Sequence, residues 1–358
     1  MNFHAAANTP VQDAGYASAR LRLAPGNGPA LTASPDAPDS VKLLLAGQPF
    51  ANARLSSAGD TPVLALKFDE ADPAPEQVPG AALLALEAVF AQNGGLDRLI
   101  LDLGHAALTL RDLPFAHPVA QGKDCGLEVR RDGFYQTDQL WLGHTPSGRL
   151  RTGFVPGPDG RDHPLRPPHP QGVVYERYDP VADVTVSFRT VDIDRDLDTF
   201  HRWMNDGRVA YFWELAWEKP KLRDYLAAFE ARPHTYPLIG CFNGEDAGYF
   251  ETYWVREDRL GPFYDSGPWD RAWHGLIGER KHLGRAKTGA WLRGLIHYLF
   301  LDCPMTENIM GEPRVDNAKL LSYAAEVGYE KVGEFDFPHK RSALMRCTRD
   351  RFFSEVRL

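Results

Sequence analysis

Hydrophobic and polar positions fall into two patterned stretches separated by one that suits neither helix nor central strand. In the first stretch, strand-like runs stand at 19–23, 41–45 and 63–68. An apolar helical run over 80–92 stops at Gly94-Gly95, residues that can turn left-handed at no steric cost. Strands are also predicted at 98–103, 127–130 and 139–142. Residues 1–40, rich in Ala, Pro, Gly and Asn, show no other pattern and are expected to lack order. Residues 143–172 include GFVPGPDGRDHPLRPPHPQG, where proline removes amide donors and fixes φ. Past them the pattern sharpens. Residues 184–191 alternate as a strand does, 194–204 and 221–231 have helical spacing, and strands are predicted at 237–242, 247–255 and 272–277. A helix over 285–301, a strand at 308–312 stopped by Pro313, a helix over 317–327 ending at Gly328, and strands at 329–335 and 343–347 complete the chain. This divides it into an N-terminal α/β domain (1–142), a Pro/Gly-rich linker (143–172) and a second domain (173–358) with the order β-α-α-β-β-β-α-β-α-β-β. No internal sequence repeat is visible, although the first domain could be a diverged copy of the second.

Composition narrows the partners. A hydrophobic share of 43% beside 25% charged residues lets each half bury its own core. A net charge of −8 and a pI near 5.8 argue against nucleic acid or an anionic membrane as the main partner. The start, MNFHAAANTP, lacks the pattern of a secretory leader, and the most apolar run, 81–91, is interrupted by Glu87. Cys125, Cys241, Cys303 and Cys347 are scattered and form no C-x-x-C pair. The expectation is a reduced, cytoplasmic protein without a metal site or disulfide framework.

One turn carries explicit chemistry. The strand 272–277 runs into GERKHLGRAKTGAWL and then a helix. A glycine turn at a helix start exposes backbone amides and adds the positive end of the helix dipole, which suits a pyrophosphate. Gly284 allows close approach, Ala286 keeps the next turn uncrowded, and Arg280, Lys281, Arg285 and Lys287 surround the turn with positive charge. The sequence resembles the Q/R-x-x-G-x-G/A motif of the GNAT acyltransferases, with Lys281 departing at the first place. A basic solvated turn is the alternative reading.

From about residue 171 onward the chain resembles the siderophore-biosynthesis acyltransferases of the GNAT superfamily, a group that includes aerobactin-type hydroxylysine acetyltransferase, mycobactin acyltransferase and the hydroxyornithine transacylases. FHRWMNDGRVAYFWE, YFETYWVREDRLGPFYD, WHGLIGE and GEPRVDNAKLLSYAAEVGYE carry the likeness, in order and with similar spacing. The resemblance implies an α+β GNAT fold, with a mixed, mostly antiparallel sheet and flanking helices. It further implies acyl-CoA as co-substrate and an N-hydroxylated ornithine, lysine or diamine as acceptor, yielding a hydroxamate. It covers the first half poorly.

The same resemblance implies His274 and Asp316 as the catalytic pair, and CoA contacts at Leu276, Ile277, Gly278, Arg280, Lys281, Gly284, Arg285, Ala286 and Asn317. An imidazole can accept the proton shed by an attacking nitrogen near neutral pH. Asp316 also stands where a helix N-cap belongs, so both roles are open. Gly275 departs from the family, which carries a bulky apolar residue there. The family's thiolate-protonating tyrosine is replaced by Ala324, and the neighbouring Tyr323 is given no catalytic role. Acceptor contacts are expected at Trp203, Asn205, Phe212, Trp213 and Glu214 after the first helix. Glu251, Tyr253 and Trp254 are expected to contribute from a strand on which Glu251 and Tyr253 share a face; such aromatic residues also serve as core. Acylation of another amine and a non-catalytic acyl-CoA-binding module are the competing functions. A homodimer and a link to a siderophore synthetase are further expectations.

Overall fold

A computed structural model describes residues 21–22, 31–37, 39–57, 61–69, 73–104, 113–121, 124–148, 152–157 and 160–358. Of residues 1–40, expected to lack order, 1–20, 23–30 and 38 lie outside them, as do all but two residues of the strand expected at 19–23; residues 31–37 instead form a strand.

The first half contains β1 (Leu21–Arg22), β2 (Leu31–Ala37), β3 (Ser40–Leu45), β4 (Gln48–Ser56), β5 (Val63–Phe68), α1 (Val78–Gln92), β6 (Arg98–Asp102), β7 (Ala116–Gln121), β8 (Asp124–Arg130) and α2 (Arg131–Phe134). A small hairpin, β9 (Phe154–Pro156) and β10 (Asp162–Pro164), interrupts the proline-rich stretch. Then come β11 (Val173–Asp179), β12 (Val184–Thr190), α3 (Ile193–Met204), α4 (Gly207–Trp213) and α5 (Lys219–Ala227). The rest is β13 (Thr235–Phe242), β14 (Glu245–Trp254), β15 (Arg271–Ile277), α6 (Arg285–Asp302), β16 (Asn308–Gly311), α7 (Ala318–Glu326), β17 (Glu330–Phe337), β18 (Lys340–Thr348) and α8 (Arg349–Glu355).

Two eight-stranded sheets result, ordered β1-β2-β3-β4-β5-β6-β8-β7 and β11-β12-β13-β14-β15-β16-β18-β17. Each is antiparallel except at one place, β5 beside β6 and β15 beside β16. A parallel pair needs a crossover, and α1 and α6 supply it. The first half therefore repeats the topology of the second.

In the second sheet, β14 is buried on both faces over Ala247–Trp254, because helices cover both sides. Leu197, Phe200, Trp203, Leu222 and Leu226 from α3 and α5 pack on one face; Trp291, Leu295 and Leu299 from α6 belong to the main core on the other. That main core is continuous between the halves, linking α1 and α2 residues such as Phe90 and Phe134 to α6 and α8. Polar ties cross with it. Arg131 donates to the carbonyls of Phe90 (2.8 Å) and Leu358 (2.7 Å), and Arg177 pairs with Glu87 of α1 at 3.3 Å. His297 places Nε2 2.7 Å from the Tyr135 carbonyl, which can only accept, so Nδ1 accepts from Tyr175. Burial first, then Arg177, lowers the His297 pKa to about 3 and keeps the ring neutral.

Several elements depart from the sequence pattern. Residues 139–142 form no strand: Leu140 and Trp141 plug the core, and only Leu142 bridges Tyr175. Pro118 hid β7, which sits at the sheet edge where a missing amide is tolerated, and Pro35 hid β2, whose register shifts there. β4, β11, α4 and α8 are likewise additional. Among the described residues, no helix is long and apolar enough to cross a membrane.

Candidate active site

The second sheet opens at its centre. β15 pairs with β14 from Arg271 to Ile277, but with β16 only through Arg271–Ile309 and Ala272–Met310. Beyond Ala272 the strands separate, so no strand among the described residues covers that edge of β15. Its backbone groups are available to pair with amide groups of a ligand, as an added strand would. Arg208 of α4 donates to the Ile277 carbonyl at 2.6 Å and fixes the strand exit. Gly278 follows because the Trp203 indole occupies the place of a Cβ, while Trp203 Nε1 donates to Glu279 at 2.9 Å.

The turn before α6 has the geometry of an anion cradle. Gly284 is the N-cap at φ 135° and ψ 157°, a region that is essentially glycine-only. No side chain caps the helix there, and nothing lies within 4 Å of a Cβ built on Gly284. First-turn amides have no partner within a helix, so those of Arg285, Ala286 and Lys287 are available to an anion. Arg280 pairs with Asp206 (3.0 Å), Lys281 with Glu245 (2.6 Å) and Arg285 with Glu326 (2.7 Å), while Lys287 meets His282 (3.0 Å). The three carboxylate pairs are exposed and worth little individually, so a phosphate can exchange for them. A diphosphate fits this turn.

His274 projects into the opening on the face shared by Tyr249, Glu251 and Tyr253. Its Nε2 lies 2.7 Å from Glu312 Oε1, and its Nδ1 lies 3.5 Å from Glu251 Oε2. Tyr253 donates to Glu312 at 2.9 Å, and Tyr225 and Tyr249 both donate to Glu251. Burial pushes the imidazole pKa down, but the carboxylates of Glu312 and Glu251 more than reverse this, raising it to about 10. Burial likewise works against the Glu312 carboxylate, yet His274 brings its pKa to about 2. Both carboxylates therefore favour the protonated ring, whereas the sequence reading expects an imidazole that accepts a proton. Glu251, expected among the acceptor contacts, is engaged by His274 and two tyrosines.

The remaining candidates divide between opening and scaffold. Asp316 is exposed and paired with Arg314 at 3.1 Å; it makes no hydrogen bond to the His274 cluster. The cap of α7 is Asn317, whose side-chain oxygen accepts from Leu320 N. Leu276 packs under α3, and Ile277 faces the α6 side. Asn205 ties the end of α3 to the Trp217 carbonyl (3.1 Å), and Trp213 packs on Tyr249. Phe212 is exposed beside Tyr211, and Glu214 ends α4 in left-handed backbone at φ 56°. Trp254 lies on the opposite face, under the Arg166 and Arg271 guanidinium groups. Gly275, the departure from the resemblance, is explained by Phe250: an added Cβ would meet that ring at 2.5 Å.

Glu312, Tyr225, Tyr249, Arg208 and Arg259 are the site residues the sequence reading passed over. Glu312 had a readable signal, a lone carboxylate one glycine past the apolar strand residues Ile309 and Met310 and directly before a proline. The others converge only through tertiary contacts.

The fold and this opening define the class of GNAT-type acyltransferases, for which acyl-CoA is the co-substrate. Residues 192–337 match the family described as an acetyltransferase (GNAT) domain. The chain is 42% identical over 231 residues to N(6)-hydroxylysine O-acetyltransferase of Escherichia coli, covering 64% of this chain and 73% of that one. It is 39% identical over 198 residues to a hydroxyornithine transacylase of Ajellomyces capsulatus, spanning 54% of this chain and 45% of that one. The chain belongs to the GNAT acyltransferase family that includes the Escherichia coli enzyme. Among solved structures, an uncharacterized protein from Bacillus halodurans is similar at 30% identity, covering 51% of this chain and 94% of that one, with a TM-score of 0.49. An aminoglycoside acetyltransferase in complex with coenzyme A is similar at 24% identity, covering 47% of this chain and 96% of that one, with a TM-score of 0.43.

Proposed function

We propose that the protein transfers an acyl group from acyl-CoA to the nitrogen of an N-hydroxylated ornithine, lysine or diamine side chain, producing a hydroxamate for siderophore synthesis. The observation that carries this reading is the placement of His274, with Nε2 2.7 Å from Glu312 Oε1 and Nδ1 3.5 Å from Glu251 Oε2. Two carboxylates hold it as an imidazolium, and Glu312 is too weakly basic to strip an alkylammonium. The site therefore suits an acceptor that arrives neutral. A hydroxylamine does so at pH 7; a plain amine, with a reference pKa of about 10.4, does not. The names of the two relatives, one acting on hydroxylysine and one on hydroxyornithine, support the same acceptor class.

In the proposed reaction the acceptor nitrogen forms a bond to the thioester carbon and the carbon–sulfur bond breaks. His274 gives its proton to the departing sulfur and recovers one from the nitrogen, so the cycle is proton-neutral. The thioester lies along the open edge of β15, with the diphosphate at Gly284–Lys287. For Asp316 we propose a place at the acceptor end with Arg314, its ion-pair partner at 3.1 Å.

The test compares kcat/KM for N-hydroxyornithine, N-hydroxylysine and a hydroxylated diamine with their plain amines from pH 6 to 9. About one plain amine in a thousand is neutral at pH 7, so a preference of about a thousandfold is expected, shrinking toward pH 9. Equal rates overturn the reading. Iron(III) binding separates a hydroxamate from its O-acyl isomer, which has the same mass but lacks the free N-hydroxyl group. The division at 1–142, 143–172 and 173–358, a cytoplasmic location, a homodimer and a link to a siderophore synthetase belong to the same proposal. Limited proteolysis, fractionation, light scattering and co-purification test them in turn.

A further inference from the structure

Arg259, in the loop between β14 and β15, reaches into the opening beside His274. Its Nη2 lies 3.4 Å from His274 Nε2 and 3.7 Å from Glu312 Oε1, while half of the side chain is exposed. Other arginines in this chain close both nitrogens of the fork on a carboxylate, as Arg189 does on Asp196 and Arg293 on Asp179. Arg259 makes no such pair among the described residues. Asp258, next to it, is directed to the Leu260 amide at 3.3 Å.

A second cation stands on the same side. Lys340 of β18 donates to the Glu312 backbone carbonyl at 2.7 Å, and both Lys340 and Arg259 lie 5.4 Å from the Phe337 ring centre. Lys340 has no carboxylate partner within salt-bridge distance among the described residues. Burial, and then the neighbouring Arg259 and Arg314 charges, lower its pKa, although Glu312 opposes this. Two cations are thus crowded against one aromatic ring, a few bonds from where acyl transfer occurs.

We propose that Arg259 and Lys340 form a carboxylate-binding subsite, which takes a carboxylate borne a few bonds from the reacting carbonyl or the reacting nitrogen. Resting on the acyl-transfer reading, this gives the substrates a charge requirement that the CoA cradle does not impose. A planar guanidinium fork matches a carboxylate in two parallel hydrogen bonds, whereas lysine contributes a point charge. The carboxylate can come from either substrate, as the free end of a dicarboxylic acyl group or the α-carboxylate of an amino-acid acceptor.

The two sources separate in a matrix of acetyl-CoA or succinyl-CoA with N-hydroxylysine or N-hydroxycadaverine, run on the wild type, Arg259→Ala and Arg259→Lys. Wild type should prefer the carboxylate-bearing member of one pair, and that pair names the source. Arg259→Ala should erase about 10- to 100-fold of the preference, mostly through KM, and Arg259→Lys should restore part of it. A uniform loss over all four combinations, or no preference in either pair, overturns the subsite. If none of the four combinations turns over, the acyl-transfer reading fails on its own. Calorimetry then decides the subsite from succinyl-CoA against acetyl-CoA and N-hydroxylysine against N-hydroxycadaverine. Discrimination lost in Arg259→Ala sustains it, and equal affinities in the wild type overturn it.

Discussion

The two halves share a strand order and differ in almost everything that chemistry needs. Between β12 and β13 the second half inserts α3, α4 and α5, which roof the opening; the matching link, from β2 to β3, is two residues long. Helix α6 starts at a glycine with φ 135°, whereas α1 starts from Gln77 with Pro79 in its first turn, where an amide is missing. β15 sets a partly buried histidine between carboxylates. The buried positions of β5 are leucines, and its one titratable side chain, Lys67, is exposed. The shared topology supplies a parallel pair with a crossover helix. Roof, glycine cradle and charged strand residue are local additions, and only their coincidence makes a site.

If that contrast is right, the largest effect should come from His274→Ala, which is expected to lower turnover by about 100- to 10,000-fold with CoA affinity little changed. Lys67→Ala should leave turnover within about twofold. Comparable losses in steady-state assays would break the contrast. Next is Glu87→Ala. It leaves Arg177 buried without its partner at the contact between halves, a change worth about 3–5 kcal/mol of stability. Denaturant unfolding should show that loss while the folded protein keeps its kcat/KM; unaltered stability would mean the halves are not tied through this pair. Gly284→Val is expected to weaken CoA binding by about 10- to 100-fold, because a β-branched residue cannot hold that backbone and the amides turn away. Calorimetry reads the affinity and circular dichroism confirms the fold.

The smallest effect is a displacement along the pH axis. Removing a carboxylate that raises the imidazole pKa must lower it, so Glu312→Gln should bring His274 below about 10, visible in an NMR titration. In the wild type the folded His274 value lies above its ordinary 6.5. Its stabilisation is full below 6.5 and lost as pH rises through about 10. Glu312 sits at about 2 against an ordinary 4.5, so its share is present above 4.5 and lost as pH falls through about 2. If His274 works protonated, wild-type kcat is flat from pH 6 to 9; a rise over that range would mark it as a neutral base.

Most of the second half was legible because its helices and strands have clean periods and its cradle is a contiguous motif. The first half was less so. Its β4 is built partly from small residues, and β2 and β7 contain prolines that argue against strands unless edge position and register are known. Within the site, the Gly284 turn could be read from the local string, while His274 was singled out by the resemblance. The partners of His274 could not, because Glu251 and Glu312 reach it through sheet register and the geometry of the opening. The pairing of Asp316 was equally hidden: four residues from Glu312 in sequence, its carboxylate meets Arg314 in space.

Phe250 has a consequence of another kind. Its ring fills the space that side chains on Gly240 and Gly275 would need, one strand away on either side. Those three positions behave as one volume shared across three strands, so none is free to grow alone. Leucine at 275 should be tolerated only with a small residue at 250, and the two changes together should cost less than their sum. The departure at Gly275 is then half of an exchange whose other half is an aromatic ring on the neighbouring strand.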